Sequence, residues 1–94
     1  MIRTTAHDRL LELAKHASVP VINGLTDETH PCQIMADVMT LEEHKGTLEN
    51  QVVAWTGDGN NVLSSMMEAS ARFGYKMRVA TPKSHQPVSR YLDW

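Results

Sequence analysis

The sequence predicts an α/β fold with a parallel sheet of the three-layer type, of which only a part is present in these 94 residues. Short, β-branched apolar runs alternate along the chain with longer stretches whose apolar residues recur at helical spacing. This alternation is typical of parallel strands joined by right-handed helical crossovers. The chain has too few such units for a doubly wound domain, and both ends interrupt an element. We therefore expect a piece of a larger α/β protein.

The first elements precede a polar loop. Ile2-Arg3-Thr4 has the character of the last residues of a strand. A helix is predicted over 6–17, where leucines recur at helical spacing, and Thr4 or Thr5 is expected to cap its start. Val19–Asn23 is short, apolar and β-branched, which predicts a buried strand. The polar residues 24–29 are predicted to be the loop that follows it.

The second helix is predicted from Pro31 to His44. Proline suits the first helical position, because its fixed φ fits the helix and its missing N–H leaves no bond unmade. Lys45 and Gly46 close the helix, with the glycine as the residue that ends it. The side chains expected on its apolar face are Ile34, Met35, Val38, Met39 and Leu41. Together with Met66 and Met67, the two methionines of this face are predicted to pack in the core.

The second half of the chain repeats the strand–helix–strand order. Strands are predicted over 51–56 and 76–80, and a helix over 62–73 that Gly74 stops. The tail over 89–94 is predicted to be a helix that has just begun. Its aromatic side chains have no later residues in this sequence to cover them.

The composition is that of a soluble globular protein, with 41% apolar and 21% charged residues. A net charge of −2 gives no electrostatic reason to bind nucleic acid or an anionic membrane, and no apolar run is long enough to span one. The single cysteine, Cys32, excludes an internal disulfide and fits a reducing cytoplasm. It is interpreted as an unreactive thiol, with a catalytic thiol as the alternative. The histidines are scattered, so no metal site is expected.

The tetrapeptide His30-Pro31-Cys32-Gln33 is the first candidate site. It lies where the polar loop meets the second helix, and a helix N-terminus offers unpaired N–H groups and a positive dipole to an anion. The imidazole of His30 and the amide of Gln33 add groups that can bind a carbonyl or an amide. The structural alternative is that His30 is a loop or capping residue and Gln33 a solvated first-turn residue.

The turn Gly57-Asp58-Gly59-Asn60-Asn61 is the second candidate site. Loops at the carboxyl ends of parallel strands are where α/β proteins bind ligands, and paired asparagines suit a zwitterionic amino acid. A dinucleotide-binding fingerprint is incomplete, because Val62 occupies its third glycine position. The structural alternative is that Asn60 caps the following helix and Asn61 is solvated.

Taken together, these motifs resemble the middle of the ornithine carbamoyltransferase family. The matching segments, in order, are Val19–Leu25, His30–Gln33, Ala36–Asp37, Thr40–His44, Trp55–Leu63 and Ala80–Lys83. The resemblance covers essentially the whole chain. Aspartate carbamoyltransferases share the His-Pro-x-Gln signature, whereas the paired asparagines favour the ornithine enzymes.

The resemblance implies an enzyme that transfers the carbamoyl group of carbamoyl phosphate to ornithine, giving citrulline and phosphate in arginine metabolism. The residues it implies as carbamoyl phosphate contacts are Arg3, His30, Pro31, Cys32 and Gln33. His30 and Gln33 would have catalytic roles, because hydrogen bonds to the carbamoyl oxygen stabilise the charge that develops there. Asn61, with Asn60 beside it, matches the ornithine-binding position.

The resemblance also implies two domain parts. Residues 1–45 would be the end of the carbamoyl phosphate domain with the helix that joins the domains, and residues 46–94 the start of the ornithine domain. The family needs no cofactor and usually forms homotrimers. Its Ser-Thr-Arg-Thr phosphate loop and its later ornithine-binding residues are absent from these 94 residues. We therefore expect a truncated form that is inactive alone. Assembly from split pieces, or a non-enzymatic small-ligand or nucleotide-binding module built on Gly57–Asn61, are the alternatives.

Overall fold

The computed structural model describes residues 1–91 and has the mixed α/β architecture that the sequence predicts. In chain order the elements are β1 (Ile2–Arg3), α1 (His7–His16), β2 (Asn23–Leu25), α2 (Pro31–Lys45), β3 (Val52–Thr56), α3 (Asn61–Phe73) and β4 (Lys76–Ala80). Two 3₁₀ turns follow, at Lys83–His85 and Ser89–Tyr91. The last residues of the predicted tail helix, 92–94, lie outside the described residues.

The described strands form two separate parallel pairs. β1 pairs with β2, and β3 pairs with β4 in a regular register from Val52 opposite Lys76 to Thr56 opposite Ala80. Each pair is joined through a helix, as parallel neighbours require. The predicted parallel pairing is therefore confirmed, and it is divided between the two halves of the chain.

The helix boundaries follow local signals that the sequence makes visible. Pro31 occupies the first turn of α2, and Gly46 ends it with φ of 81°. Gly74 ends α3 in the left-handed region with φ of 82°, a conformation that costs a glycine nothing. These helix ends agree with the predicted ones within a residue.

The predicted strand over Val19–Asn23 is wrong in position. Only its last residue lies in β2, and the side chains of Val19 and Ile22 are 68% and 52% exposed. Pro20 has no N–H to donate to a neighbouring strand. In the register of the β1–β2 pair, the residues of β1 lie opposite positions 23 and 25. At Gly24 the backbones of β1 and β2 lie close together, since a Cβ there would lie 2.9 Å from the carbonyl oxygen of Ile2. The strand therefore forms where β1 lies, inside the predicted loop.

The predicted threonine cap of α1 is also wrong. Ala6 occupies the cap position, and no side chain there accepts a backbone hydrogen bond. The backbone of both threonines instead binds the segment after β2: the N–H of Thr4 donates to Leu25 at 2.9 Å, and the carbonyl of Thr5 accepts from Asp27 at 2.7 Å. These bonds hold the threonines against β2 and away from the start of the helix.

The core lies where α2 and α3 pack together and against the β3–β4 pair. Its most buried members are Ile34 of α2 and Leu63 of α3, at 1% and 0% exposure. The prediction that the methionines pack in the core holds for Met67, at 7%, but is wrong for Met35 and Met39, at 48% and 64%. The face of α2 that contains Ile34 is turned toward α3, which leaves those two side chains on the outer side.

Tyr75, which is buried under α3, should lower the stability of the fold at alkaline pH. Burial, and then the nearby carboxylate of Asp37, raises the pKa of Tyr75 from about 10 to about 12. Its hydroxyl donates to the carbonyl of Met66 at 2.8 Å. Because the unfolded chain ionises first, the free energy of unfolding should be unaffected below pH 10 and fall by up to about 2–3 kcal/mol as the pH rises to 12.

Urea unfolding of the chain between pH 9 and 12 measures this loss. Tyr75→Phe is the matched variant, because it keeps the ring and removes the ionisable group. The variant should lose less stability than the parent across this range. An identical pH dependence in the two proteins would contradict the assignment to Tyr75.

Candidate functional site

The candidate site begins at the carboxyl ends of β1 and β2. Arg3 ends β1 opposite Leu25, and its side chain is exposed. The bonds from Thr4 to Leu25 and from Asp27 to Thr5 hold the segments after the two strands side by side. The carboxyl ends of parallel strands are a common position for a ligand in α/β proteins. Arg3 therefore lies at the edge of the sheet from which the loop to His30 starts.

Thr26 organises the loop that follows β2. Its side chain is fully buried, and its hydroxyl oxygen accepts hydrogen bonds from the N–H groups of Glu28 and Thr29, both at 3.2 Å. Its own N–H donates to the carbonyl of Thr29 at 2.9 Å. The result is a tight turn that ends one residue before His30, so the turn sets where the backbone of His30 lies.

His30 occupies the N-cap position of α2 with its backbone anchored on the other half of the chain. Its N–H donates to the hydroxyl oxygen of Ser65, a buried residue of α3, at 2.8 Å. Its side chain makes no capping bond, which contradicts the alternative of a capping histidine. The ring atom Nδ1 is buried and has no hydrogen-bond partner within the described part of the chain. Buried polar atoms without a partner are uncommon and call for a specific explanation.

The other residues of the tetrapeptide lie on the exposed first turn of α2. Gln33 donates from Nε2 to Asp37 at 3.1 Å, one turn along the helix. Cys32 is exposed, and its thiol donates to the carbonyl of Asn23 at 3.3 Å. Pro31 presents no N–H. Gln33 is thus a first-turn residue, as the structural alternative expected, with an amide at the open end of α2.

The paired asparagines have different surroundings. Asn60 caps α3, because its side-chain oxygen accepts from the N–H groups of Val62 and Leu63 at 3.1 Å. Asn61 is half-buried, and its Nδ2 donates to the carbonyl of Thr26 at 2.8 Å. The capping alternative thus holds for Asn60, and the solvated alternative for Asn61 is wrong. Through Asn61 and Ser65, α3 reaches the same loop from which α2 begins.

Two backbone donors of the turn before α3, both on glycines, are used within the chain. The N–H of Gly57 donates to Ala80 at 3.1 Å, and that of Gly59 donates to His85 at 2.7 Å. A Cβ on Gly59 would lie 2.4 Å from the backbone of Gln86, so this turn is closely covered. A phosphate-binding loop needs free N–H groups. This geometry therefore weighs against the nucleotide-binding alternative.

Sequence reasoning missed several residues that support the site. Behind the loop, the ring of His7 lies between the hydroxyl of Thr26 and the carboxylate of Glu28, and Glu28 also pairs with Arg90. A threonine followed by polar residues is a known turn signal, so Thr26 could have been noticed. Ser65 carries no such signal, because its role depends on the packing of α3 against α2.

These contacts define an α/β protein whose candidate ligand site lies at the carboxyl ends of its strands and at two helix N-termini. Comparison with known proteins identifies the family of this protein. Residues 1–43 match the aspartate/ornithine carbamoyltransferase carbamoyl-P binding domain, and residues 49–94 match the Asp/Orn binding domain of the same family. The chain belongs to the aspartate/ornithine carbamoyltransferase family, and the resemblance inferred from its motifs is confirmed.

Proteins similar to this chain include ornithine carbamoyltransferases from several bacteria and an archaeon. The one from Rhizobium johnstonii is 65% identical over the whole chain, and the one from Brucella ovis is 64% identical. The solved structure from Pyrococcus furiosus matches with a TM-score of 0.94 at 47% identity, covering 98% of this chain and 29% of that one. The chain spans 31% and 30% of the length of the Rhizobium and Brucella relatives.

Proposed function

We propose that this chain supplies part of the substrate site of an ornithine carbamoyltransferase. The observation that carries the proposal is the loop 26–30, which both helix N-termini contact: α2 begins at its end, and α3 reaches it through Asn61 and Ser65. Each terminus belongs to a segment that matches a different substrate-binding domain of the family. A loop that joins them suits a reaction between two bound substrates.

The carbamoyl phosphate side of the site is proposed to consist of Arg3 and the first turn of α2. His30 and Gln33 would donate to the carbamoyl oxygen while the δ-amine of ornithine attacks the carbamoyl carbon and phosphate leaves. Arg3 would balance the negative charge of the phosphate. Pro31 and Cys32 would line the same turn. The positive end of the α2 dipole favours an anion at this position.

The ornithine side is proposed to be Asn61, with Asn60 beside it. A half-buried amide already held by Thr26 can present its remaining N–H donor to the carboxylate and its remaining lone pair to the ammonium of an amino acid. In this proposal residues 1–45 close the carbamoyl phosphate domain, with α2 as the link between domains. Residues 46–94 begin the ornithine domain.

The assembly and setting of the protein follow from the same proposal. We propose a homotrimer that works in the cytoplasm in arginine metabolism. Carbamoyl phosphate is already activated for transfer, so the proposed chemistry requires no metal or organic cofactor. None of the described helices is long and apolar enough to cross a membrane.

Citrulline formation tests the proposal with two proteins. We expect none from the 94-residue chain alone, because the family's phosphate loop, with several charge-assisted hydrogen bonds of about 1.5–3 kcal/mol each, is not among these residues. The second protein is a hybrid in which this chain replaces the 94 matching residues of the Rhizobium johnstonii ornithine carbamoyltransferase. The hybrid should form citrulline. A folded, trimeric hybrid without activity would contradict the proposed function.

A further inference from the structure

We propose that Thr26 is a positioning residue that holds both substrate-binding sides of the site in place. The inference rests on the proposed function, since it concerns how His30 and Asn61 are oriented for that reaction. Thr26 touches neither substrate in this proposal. It acts through the turn that leads to His30 and through the carbonyl that binds Asn61.

The hydroxyl of Thr26 is fixed by three neighbours. Its oxygen accepts from the N–H groups of Glu28 and Thr29, and Nδ1 of His7 lies 2.9 Å away. Nε2 of His7 lies 3.4 Å from the carboxylate of Glu28, so a ring with its proton on Nε2 bonds to Glu28 and accepts the hydroxyl proton of Thr26 at Nδ1. In that tautomer the fully buried hydroxyl uses its donor and two acceptor positions, which gives it a single orientation.

These bonds determine where His30 begins. The turn from Thr26 to Thr29 is closed at both ends, and the side chain of Thr29 is held in addition by Nδ2 of Asn23 at 2.9 Å. His30 follows directly, with its N–H on Ser65. Without the hydroxyl, the backbone N–H groups of Glu28 and Thr29 would lose their acceptor and the turn would loosen. A displacement of about 1 Å at a catalytic group can cost about 100-fold in rate.

The backbone of the same residue orients Asn61. The carbonyl of Thr26 accepts from Nδ2 of Asn61 at 2.8 Å, while Oδ1 of Asn61 accepts from the N–H of Val62 at 3.0 Å. These two bonds fix which end of the amide is the donor. Thr26 thus connects Asn61, the proposed ornithine contact, to the loop that positions His30, the proposed carbamoyl contact. A shift of this loop would therefore move both residues.

The test compares Thr26→Val with Thr26→Ser in the hybrid protein. Valine keeps the shape and removes the hydroxyl, whereas serine keeps the hydroxyl. We expect Thr26→Val to lower kcat about 10- to 100-fold and to raise the KM values for both substrates, with Thr26→Ser within about threefold of the parent. Thr40→Val is the matched control, because it removes an exposed hydroxyl whose bond among residues 1–91 is to the Ala36 carbonyl within α2. Melting temperatures are measured for all variants.

Amide hydrogen exchange on the unaltered hybrid gives a second readout that needs no variant. The amides of Glu28 and Thr29 should be protected, since both donate to a buried oxygen. Unchanged kinetics in a folded Thr26→Val hybrid would overturn the proposal, and so would exchange of both amides at the rate of an unstructured peptide. A hybrid that makes no citrulline with Thr26 in place contradicts the proposed function instead, and amide exchange then still decides whether Thr26 holds the loop.

Discussion

Replacing His30 by alanine in the hybrid protein is expected to lower kcat for citrulline formation by about 100- to 1,000-fold, the usual cost of one donor to a developing oxyanion. The imidazole is proposed to donate to the carbamoyl oxygen, whose negative charge grows as the amine attacks. The backbone bond from His30 to Ser65 does not depend on the side chain, so the loop should keep its position in the variant. Steady-state kinetics with both substrates, together with a melting curve, measure the effect.

The matched control is His16→Ala. His16 lies at the exposed end of α1, and its partner in the part of the chain that the structure describes is Glu12 one turn away, an interaction of about a few tenths of a kcal/mol. Its removal should change neither kcat nor KM by more than about twofold. If His30→Ala retained the parent kcat, or lost activity only in proportion to lost folded protein, the catalytic role proposed for His30 would be refuted.

The helices could be predicted because their limits are written in neighbouring residues. Pro31 marks the start of α2, and Gly46 and Gly74 end two helices by adopting positive φ. Each signal acts within one turn of the helix it limits. Strands β3 and β4 were predictable for a similar reason, since β3 is an apolar run and β4 alternates charged with apolar residues, each between turn residues.

Strand β2 could not be predicted from its own residues. The apolar run from Val19 to Ile22 has the composition of a strand, yet β1 bonds only to its last residue, through the N–H of Ile2 and the carbonyl of Ile22, and pairs in register with Asn23 and Leu25. A strand forms where a partner lies, and that partner comes from about 20 positions earlier in the chain. The burial of Met35 was misjudged for a related reason, because only the packing of α2 on α3 decides which side of α2 is covered.

The candidate site likewise contains some residues that the sequence indicates and others that only the structure reveals. His30 and Asn61 stand out in the sequence because they belong to short motifs with recognisable chemistry. Ser65 does not, since it bonds to a residue 35 positions away, and the turn signal of Thr26 gives no hint of its bond to Asn61, also 35 positions away. The sequence could therefore indicate the groups that we propose as substrate contacts, whereas the bonds that hold them in place required the structure.

Asn61→Ala and Asn60→Ala should separate two roles that the sequence assigns jointly. In the hybrid protein, Asn61→Ala is expected to raise the KM for ornithine about 10- to 100-fold. This corresponds to about 1.5–3 kcal/mol, the contribution of a hydrogen bond to a charged group. The KM for carbamoyl phosphate should change less, because the His30 bond to Ser65 remains. Steady-state kinetics with each substrate varied in turn measure both constants.

Asn60→Ala is expected to act on stability instead. Its side-chain oxygen accepts from two N–H groups at the start of α3, and loss of such a cap costs about 1 kcal/mol. The melting temperature should fall by several degrees, with a smaller rise in the KM for ornithine than Asn61→Ala causes. If Asn60→Ala raised that KM as much as Asn61→Ala, capping would not be its main role, and both asparagines would have to contact ornithine.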